Sequence, residues 1–175
     1  DRAIGHGACL GAAILAWRGS DVTGAAAFAL DGEALDVLMP MHLWFGADER
    51  VVRVGPTLAK IAGDEQLIGQ PLFDIVDLRR PQAAHSVEAI LALAGMRLRL
   101  ALFCRADLPF RGVVVPMPGG QGGFINLSLG VSFARAVADC DLTLNDFSPC
   151  DQTIDLLYLR EANAAIAHES RDLTA

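Results

Sequence analysis

The sequence predicts an α+β domain: a five-stranded antiparallel sheet with its helices gathered on one face, a helical segment before it and a long exit helix after it. Three observations predict this. Runs of alternating apolar and polar residues, bounded by glycine and proline turns, occur as a pair within residues 41–54 and as a trio between residues 96 and 129. Short helical stretches with proline starts and glycine stops lie between the two groups. A hydrophobic seam with seven-residue spacing closes the chain.

Residues 1–23 are small and glycine-bearing, with weak helical character between Cys9 and Trp17. The run ACLGAAILAW within them lacks a preceding cationic segment and is too short to span a bilayer. Left uncovered it would be a sticky patch, so it reads as an arm that packs on a partner. From Ala25 to Leu38, Phe28, Leu35 and Leu38 with interleaved acids predict a helix interrupted at Asp31-Gly32 and ended by Pro40. Met41–Phe45 and Arg50–Val54 read as a hairpin about the turn Gly46-Ala47-Asp48-Glu49. Pro56 opens a helix that runs to Ala62 and stops at Gly63. The segment IGQPLFDIVDLRRP reads as a loop with a helical turn or two, and Ser86–Ala94 as a helix stopped by Gly95.

Met96–Phe103, Phe110–Met117 and Gly123–Leu129 then read as strands, separated by turn signals at Asp107–Pro109 and Pro118–Gly122. In the first, Met96, Leu98, Leu100 and Leu102 alternate with Arg97, Arg99 and Ala101, so one face is buried and one is wet. Asn145, Ser148 and Asp151 are competent helix caps and Pro149 suits a first helical position, which starts the exit helix near residue 149. Along it Leu159, Ile166 and Leu173 fall seven apart, as do Leu156, Asn163 and Ser170 three residues ahead of them. That is the spacing of a two-stranded coiled coil, with Asn163 where a buried amide fixes register. An ordinary amphipathic helix packed on its own domain has the same pattern, and both hold if the first turns pack and the later ones project. The resulting division is an arm and helix over residues 1–36, a domain over 37–148 and a signalling helix over 149–175.

Composition narrows the function. A hydrophobic content of 53% marks a folded chain, and the net charge of −7 with no Lys/Arg cluster removes the usual basis of nucleic-acid binding. Cysteines at 9, 104, 140 and 150 include no CxxC or CxxH pair, so no structural zinc is expected and the thiols suit a reducing, cytoplasmic setting. Cys140 and Cys150 flank one helix start and are near enough in sequence to approach one another. The start at Asp1 fits a piece of a longer protein.

No catalytic constellation stands out. Asp74 and Asp77 have Arg79 and Arg80 beside them as salt-bridge partners, the serines lack a nucleophile elbow, and PGGQGG has no phosphate-loop lysine and lies between strands. His42, on a strand beside Trp44, reads as a hydrogen-bonded core or edge residue before it reads as a heme ligand. No cofactor or metal is expected. Were the domain a sensor, Trp44, Phe73, Leu91 and Phe124 would line a pocket between sheet and helices, although no polar groups converge there.

The element order, two strands, short helices, three strands and an exit helix, is that of a PAS domain. MHLWFGADERVVRVGPTLAKIAG, IGQPLFDIVDLRRP and DLTLNDFSPCDQTIDLLYLREAN narrow it further. The chain from about residue 37 to 173 resembles the PAS-like domain associated with heme-nitric-oxide-binding proteins, the H-NOXA domain of guanylate cyclases and bacterial signalling proteins. Pro40–Phe45 matches the family's hydrophobic-His-hydrophobic opening, and Leu144–Leu156 its closing pattern through Asp146, Phe147, Asp151, Asp155 and Leu156, at slightly different spacing. The resemblance implies a homodimer that relays the state of a heme-nitric-oxide-binding partner domain to a downstream cyclase or kinase, without catalysis of its own. A sensor holding a ligand in its own pocket is the alternative.

Overall fold

The computed structural model describes residues 31–63, 66–82 and 85–151. The arm before residue 31 and the seam residues Leu156, Leu159, Asn163, Ile166, Ser170 and Leu173 lie outside them. One antiparallel sheet of six strands organises the described chain, in the order β2-β1-β6-β5-β4-β3. Its strands are β1 (His42–Phe45), β2 (Val51–Val54), β3 (Val76–Arg80), β4 (Leu98–Leu102), β5 (Arg105–Pro116) and β6 (Gly123–Ser128). The helices are α1 (Gly32–Leu38), α2 (Pro56–Ala62), α3 (Leu72–Ile75), α4 (Val87–Leu91) and α5 (Phe133–Asp139).

The main core lies on one face. Leu43 and Phe45 of β1, Leu98, Leu100 and Leu102 of β4, Phe110 and Val114 of β5 and Ile125 and Leu127 of β6 project into it. Leu58 and Ile61 of α2, Leu72 and Ile75 of α3, Ile90 of α4 and Phe133 and Ala136 of α5 close it from the other side. Full burial of each leucine, isoleucine or phenylalanine contributes about 1.5–3 kcal/mol, which makes this layer the main source of stability.

Two expectations about the sheet are corrected. Val76–Arg80 is a sixth strand, because Val76 and Leu78 meet Leu102 and Leu100 across β4 while Asp77 and Arg79 point away from the core. Its charged alternate positions and short length gave it the look of a loop. The helices also do not all share one face. Leu35 of α1 packs with Trp44, Met117 and Phe124 in a second, smaller cluster on the opposite side. All four residues of β1 are buried, and since alternate side chains of a strand point oppositely, that strand needs cover on both faces.

Smaller shifts have local causes. Asp31 caps α1: its carboxylate accepts a hydrogen bond from the Ala34 N–H at 2.8 Å. The β4–β5 turn falls at Phe103-Cys104, and Asp107–Pro109 sits in an irregular stretch of β5 opposite β4. β5 pairs with β6 only from Arg111 onward, so Pro109, which has no N–H, removes no bond on that side. Met96 precedes β4 and is exposed instead of continuing its buried face. Pro118–Gly122 makes the expected hairpin connection, closed by Met117 N–H on the Gly122 carbonyl.

Candidate relay junction

The point where α1 hands over to β1 also receives the segment that leads out of the domain. At Gly55 the backbone passes so close to Pro40 and His42 that a Cβ would collide with the Pro40 carbonyl. That approach lets Gly55 N–H bond the His42 carbonyl at 2.8 Å and Thr57 N–H bond the Pro40 carbonyl at 3.0 Å. The N-terminus of α2 has no side-chain cap, so the Pro40 carbonyl satisfies one of its exposed donors.

Thr57 then connects the junction to the exit. Its side chain is buried, and its hydroxyl donates to the backbone carbonyl of Asp146. From the next turn of α2, Lys60 reaches the Asp146 carboxylate at 3.0 Å. The same carboxylate accepts from Thr143 N–H at 2.6 Å and from the Thr143 hydroxyl at 2.9 Å, closing a capping box about the single turn Leu144–Asp146. Burial pushes the Asp146 carboxyl up, but the Thr143 N–H, the Lys60 ammonium and the Thr143 hydroxyl outweigh it and hold the group below the usual carboxylate range. Phe147 turns inward against Phe133 with ring centroids 4.9 Å apart. The exit segment is thereby pinned one residue before Ser148.

Two clefts flank it. One, of about 320 Å³, runs between Leu38–Met41, Asn126–Ser128 and Phe147–Asp151. The other, of about 520 Å³, lies between Asp36, Pro40, Thr57 and Leu144–Pro149. Pro40 and Phe147 form part of both walls, so the leading helix and the exit segment share one junction.

Behind α1 lies a polar cluster. His42 is fully buried, its ring stacked on Phe124 at 5.2 Å. Nδ1 lies 2.8 Å from the Met39 carbonyl, which only accepts, so Nδ1 carries the proton in the neutral ring. Nε2 faces Asp36 at 3.9 Å, while the other Asp36 oxygen takes the Arg53 guanidinium at 2.6 Å. Burial pushes the His42 pKa down, more than the Met39 bond and the Asp36 charge raise it, with Arg53 adding to the fall. Asp36 Oδ1, His42 Nε2, Trp44 Nε1 and Arg53 Nε are buried and have no hydrogen-bond partner among the described residues. Each such group costs about 1–3 kcal/mol, so the α1 layer is held less firmly than the main core. His42 has the surroundings of a core histidine, with one nitrogen committed and the other against a carboxylate.

The four residues expected to line one pocket are divided between two faces. Trp44 and Phe124 lie under α1 in the smaller cluster, whereas Phe73 and Leu91 pack on the main core. The two expected cap residues, Ser148 and Asp151, both stand in the wall of the smaller cleft. Cys140 and Cys150 are thiols, not a disulfide, and the Cys140 sulfur takes a hydrogen bond from Arg105 at 2.9 Å. Asp77 is paired with Arg79 at 3.0 Å. Among the described residues no group of three His, Cys, Asp or Glu side chains is placed to hold a metal, and no helix is long and apolar enough to cross a membrane.

The junction, with a histidine strand opening the sheet and α1 laid across it, falls where a known family is found. Residues 28–103 match the family model HNOBA, heme NO binding associated. A search of curated proteins finds no match. The HNOBA stretch runs from the helix before the sheet to the end of β4 and contains Pro40, His42, Gly55 and Thr57. The closing segment from Leu144, which the resemblance also invoked, lies beyond it. Sequence reasoning missed Thr57 and Lys60 as partners of that segment and missed α5, although Phe133, Ala136, Val137 and Cys140 have helical spacing.

Proposed function

We propose that this chain is a non-catalytic dimerisation and relay module of a multidomain signalling protein, passing the state of a heme-nitric-oxide-binding partner to a downstream cyclase or kinase. The HNOBA match associates residues 28–103 with heme-nitric-oxide signalling. The observation that carries the mechanism is the shared junction. α1 and the exit segment line the same two clefts, with Pro40 and Phe147 in the walls of both, so a displacement of α1 would change the surroundings of the segment that starts at Ser148.

Mechanically, the main core acts as a rigid platform and the α1 layer as the movable part. Pro149–Cys150 forms a turn where the sequence starts the helix; past it, an exit helix capped by Asp151 pairs with its mate in a cytoplasmic homodimer through Leu156, Leu159, Asn163, Ile166, Ser170 and Leu173. A tilt or register change of that pair is the signal delivered. The order of two strands, short helices and three further strands supports the PAS-like reading, with β3 as an added edge strand.

The test is the association constant of the 175-residue chain by sedimentation equilibrium, compared with a Leu159→Gln/Ile166→Gln variant. The reading requires dimerisation to weaken at least tenfold with the far-ultraviolet spectrum of the sheet retained. An unchanged constant removes the seam from the account.

A further inference from the structure

Beyond the area that α1 covers, the same face of the sheet carries a row of like charges. Arg80 of β3 lies opposite Arg99 of β4, and Arg99 lies opposite Arg111 of β5. Arg111 in turn lies opposite Ser128 of β6. All three arginines are exposed, and none forms an ion pair among the described residues, although the chain has a net charge of −7. Like charges directly opposed across strands repel, so the row is stable only against a carboxylate partner or at the expense of the sheet. Arg97, Arg111, Val113, Asn126 and Ser128 surround a shallow concavity of about 330 Å³ there, and Val113 beside the row is 37% exposed.

Where the described chain ends points to the occupant. Cys150 and Asp151 share the wall of the neighbouring cleft with Asn126, Leu127 and Ser128, residues that also border the arginine concavity. The chain beyond Asp151 therefore begins one strand away from Arg111. With helical spacing, Ile154, Leu157, Tyr158 and Glu161 fall at i, i+3, i+4 and i+7, flanked by Asp155. This stripe lies on a different side from the Leu156, Leu159, Asn163 and Ile166 seam and is left without a partner by it. Distances agree as well. At 1.5 Å per helical residue Asp155 and Glu161 fall about 6 and 15 Å beyond Asp151. At roughly 4.8 Å per strand Arg111, Arg99 and Arg80 fall about 5, 10 and 14 Å beyond Ser128.

We propose that the segment after Asp151 docks as a helix across β6, β5, β4 and β3, its Asp155 and Glu161 carboxylates on the Arg111–Arg99–Arg80 row and its Ile154, Leu157 and Tyr158 over Val113 and the arginine stems. Docking leaves the seam face outward, so this clamp operates with or without dimerisation and goes beyond the relay reading. It sets where the exit helix lies while the domain is at rest.

Disulfide trapping tests it. In the full chain with Cys9, Cys104, Cys140 and Cys150 changed to serine, Val113→Cys is paired with Leu157→Cys, or with Leu159→Cys on the seam face as control. The expected result is a bond within one chain forming at least tenfold faster with Leu157→Cys, slowed tenfold by Arg99→Glu/Arg111→Glu and restored by adding Asp155→Arg/Glu161→Arg. Equal rates for the two pairs, a bond joining two chains, or indifference to charge reversal overturns the proposal. In the natural sequence, and again with Leu159→Gln/Ile166→Gln so that loss of the dimer reads separately, Arg99→Glu/Arg111→Glu must raise tryptic cleavage after Arg160 at least fivefold. An unchanged cleavage rate overturns it even where the serine background fails to fold.

Discussion

Replacing Asp146 by alanine removes the clasp on the exit segment while leaving the backbone carbonyl that Thr57 holds. Two contributions disappear. The bonds to Thr143 N–H at 2.6 Å and to its hydroxyl at 2.9 Å form the capping box, a loss of about 0.5–2 kcal/mol. The 3.0 Å pair with Lys60 joins side chains that are 38% and 20% exposed, so solvent screening limits it to about 0.2–1 kcal/mol. Together Asp146→Ala costs about 1–3 kcal/mol, read in urea as a fall in midpoint of roughly 0.5–1.5 M at a slope of about 2 kcal/mol/M. The cost depends on pH with a definite sign. The folded carboxyl lies below its ordinary value, so its contribution is complete above about pH 4 and is lost as pH falls through the folded pKa. Natural and variant midpoints therefore converge in strong acid. A midpoint change below about 0.2 M at pH 7, or a difference that persists at pH 2, would refute the clasp.

Three other perturbations address the rest of the junction. His42 is held neutral with its pKa lowered, so its contribution is complete above about pH 6.5 and falls as pH drops from there through the folded value; His42→Gln should flatten stability measured between pH 7 and pH 5, and an unchanged slope contradicts its buried neutral state. Gly55→Ala drives a Cβ into the Pro40 carbonyl and should cost more than about 2 kcal/mol in denaturant titration, whereas a neutral substitution means the two segments are not in contact. Leu58→Ala, at a side chain with no exposure between α2 and the sheet, should cost about 2–5 kcal/mol, far more than Leu35→Ala if the α1 layer is the weaker one.

How much of this was legible in the sequence depends on how local the cause is. β4 was legible from Leu98, Leu100 and Leu102 alternating with Arg99, because burial of one face writes a period of two into the chain, although Ala101, expected on the wet face, is buried as well. The β1–β2 hairpin and the α2 start at Pro56 and stop at Gly63 rest on neighbours a few residues apart and were equally readable. β3 was missed because Asp77, Arg79 and Arg80 masked an alternation of only two core residues, and an edge strand needs no more. The Asp107–Pro109 turn signal begins three residues after the turn at Phe103-Cys104, since nothing local distinguishes a turn from a bulge. The junction itself was not legible. Thr57 and Asp146 are 89 residues apart, and their bond is a product of the packed core. The division of Trp44 and Phe124 from Phe73 and Leu91 likewise follows from α1 crossing to the second face, which no periodicity encodes.

The central claim is that the exit helices pair and that the junction sets their footing. Native mass spectrometry of the chain tests it most directly, because one spectrum gives subunit count and any retained ligand. A dimer at twice the 18.5 kDa chain mass that disappears with Leu159→Gln/Ile166→Gln is the predicted result. A bare monomer at every concentration, or a dimer untouched by the seam variant, would contradict the account.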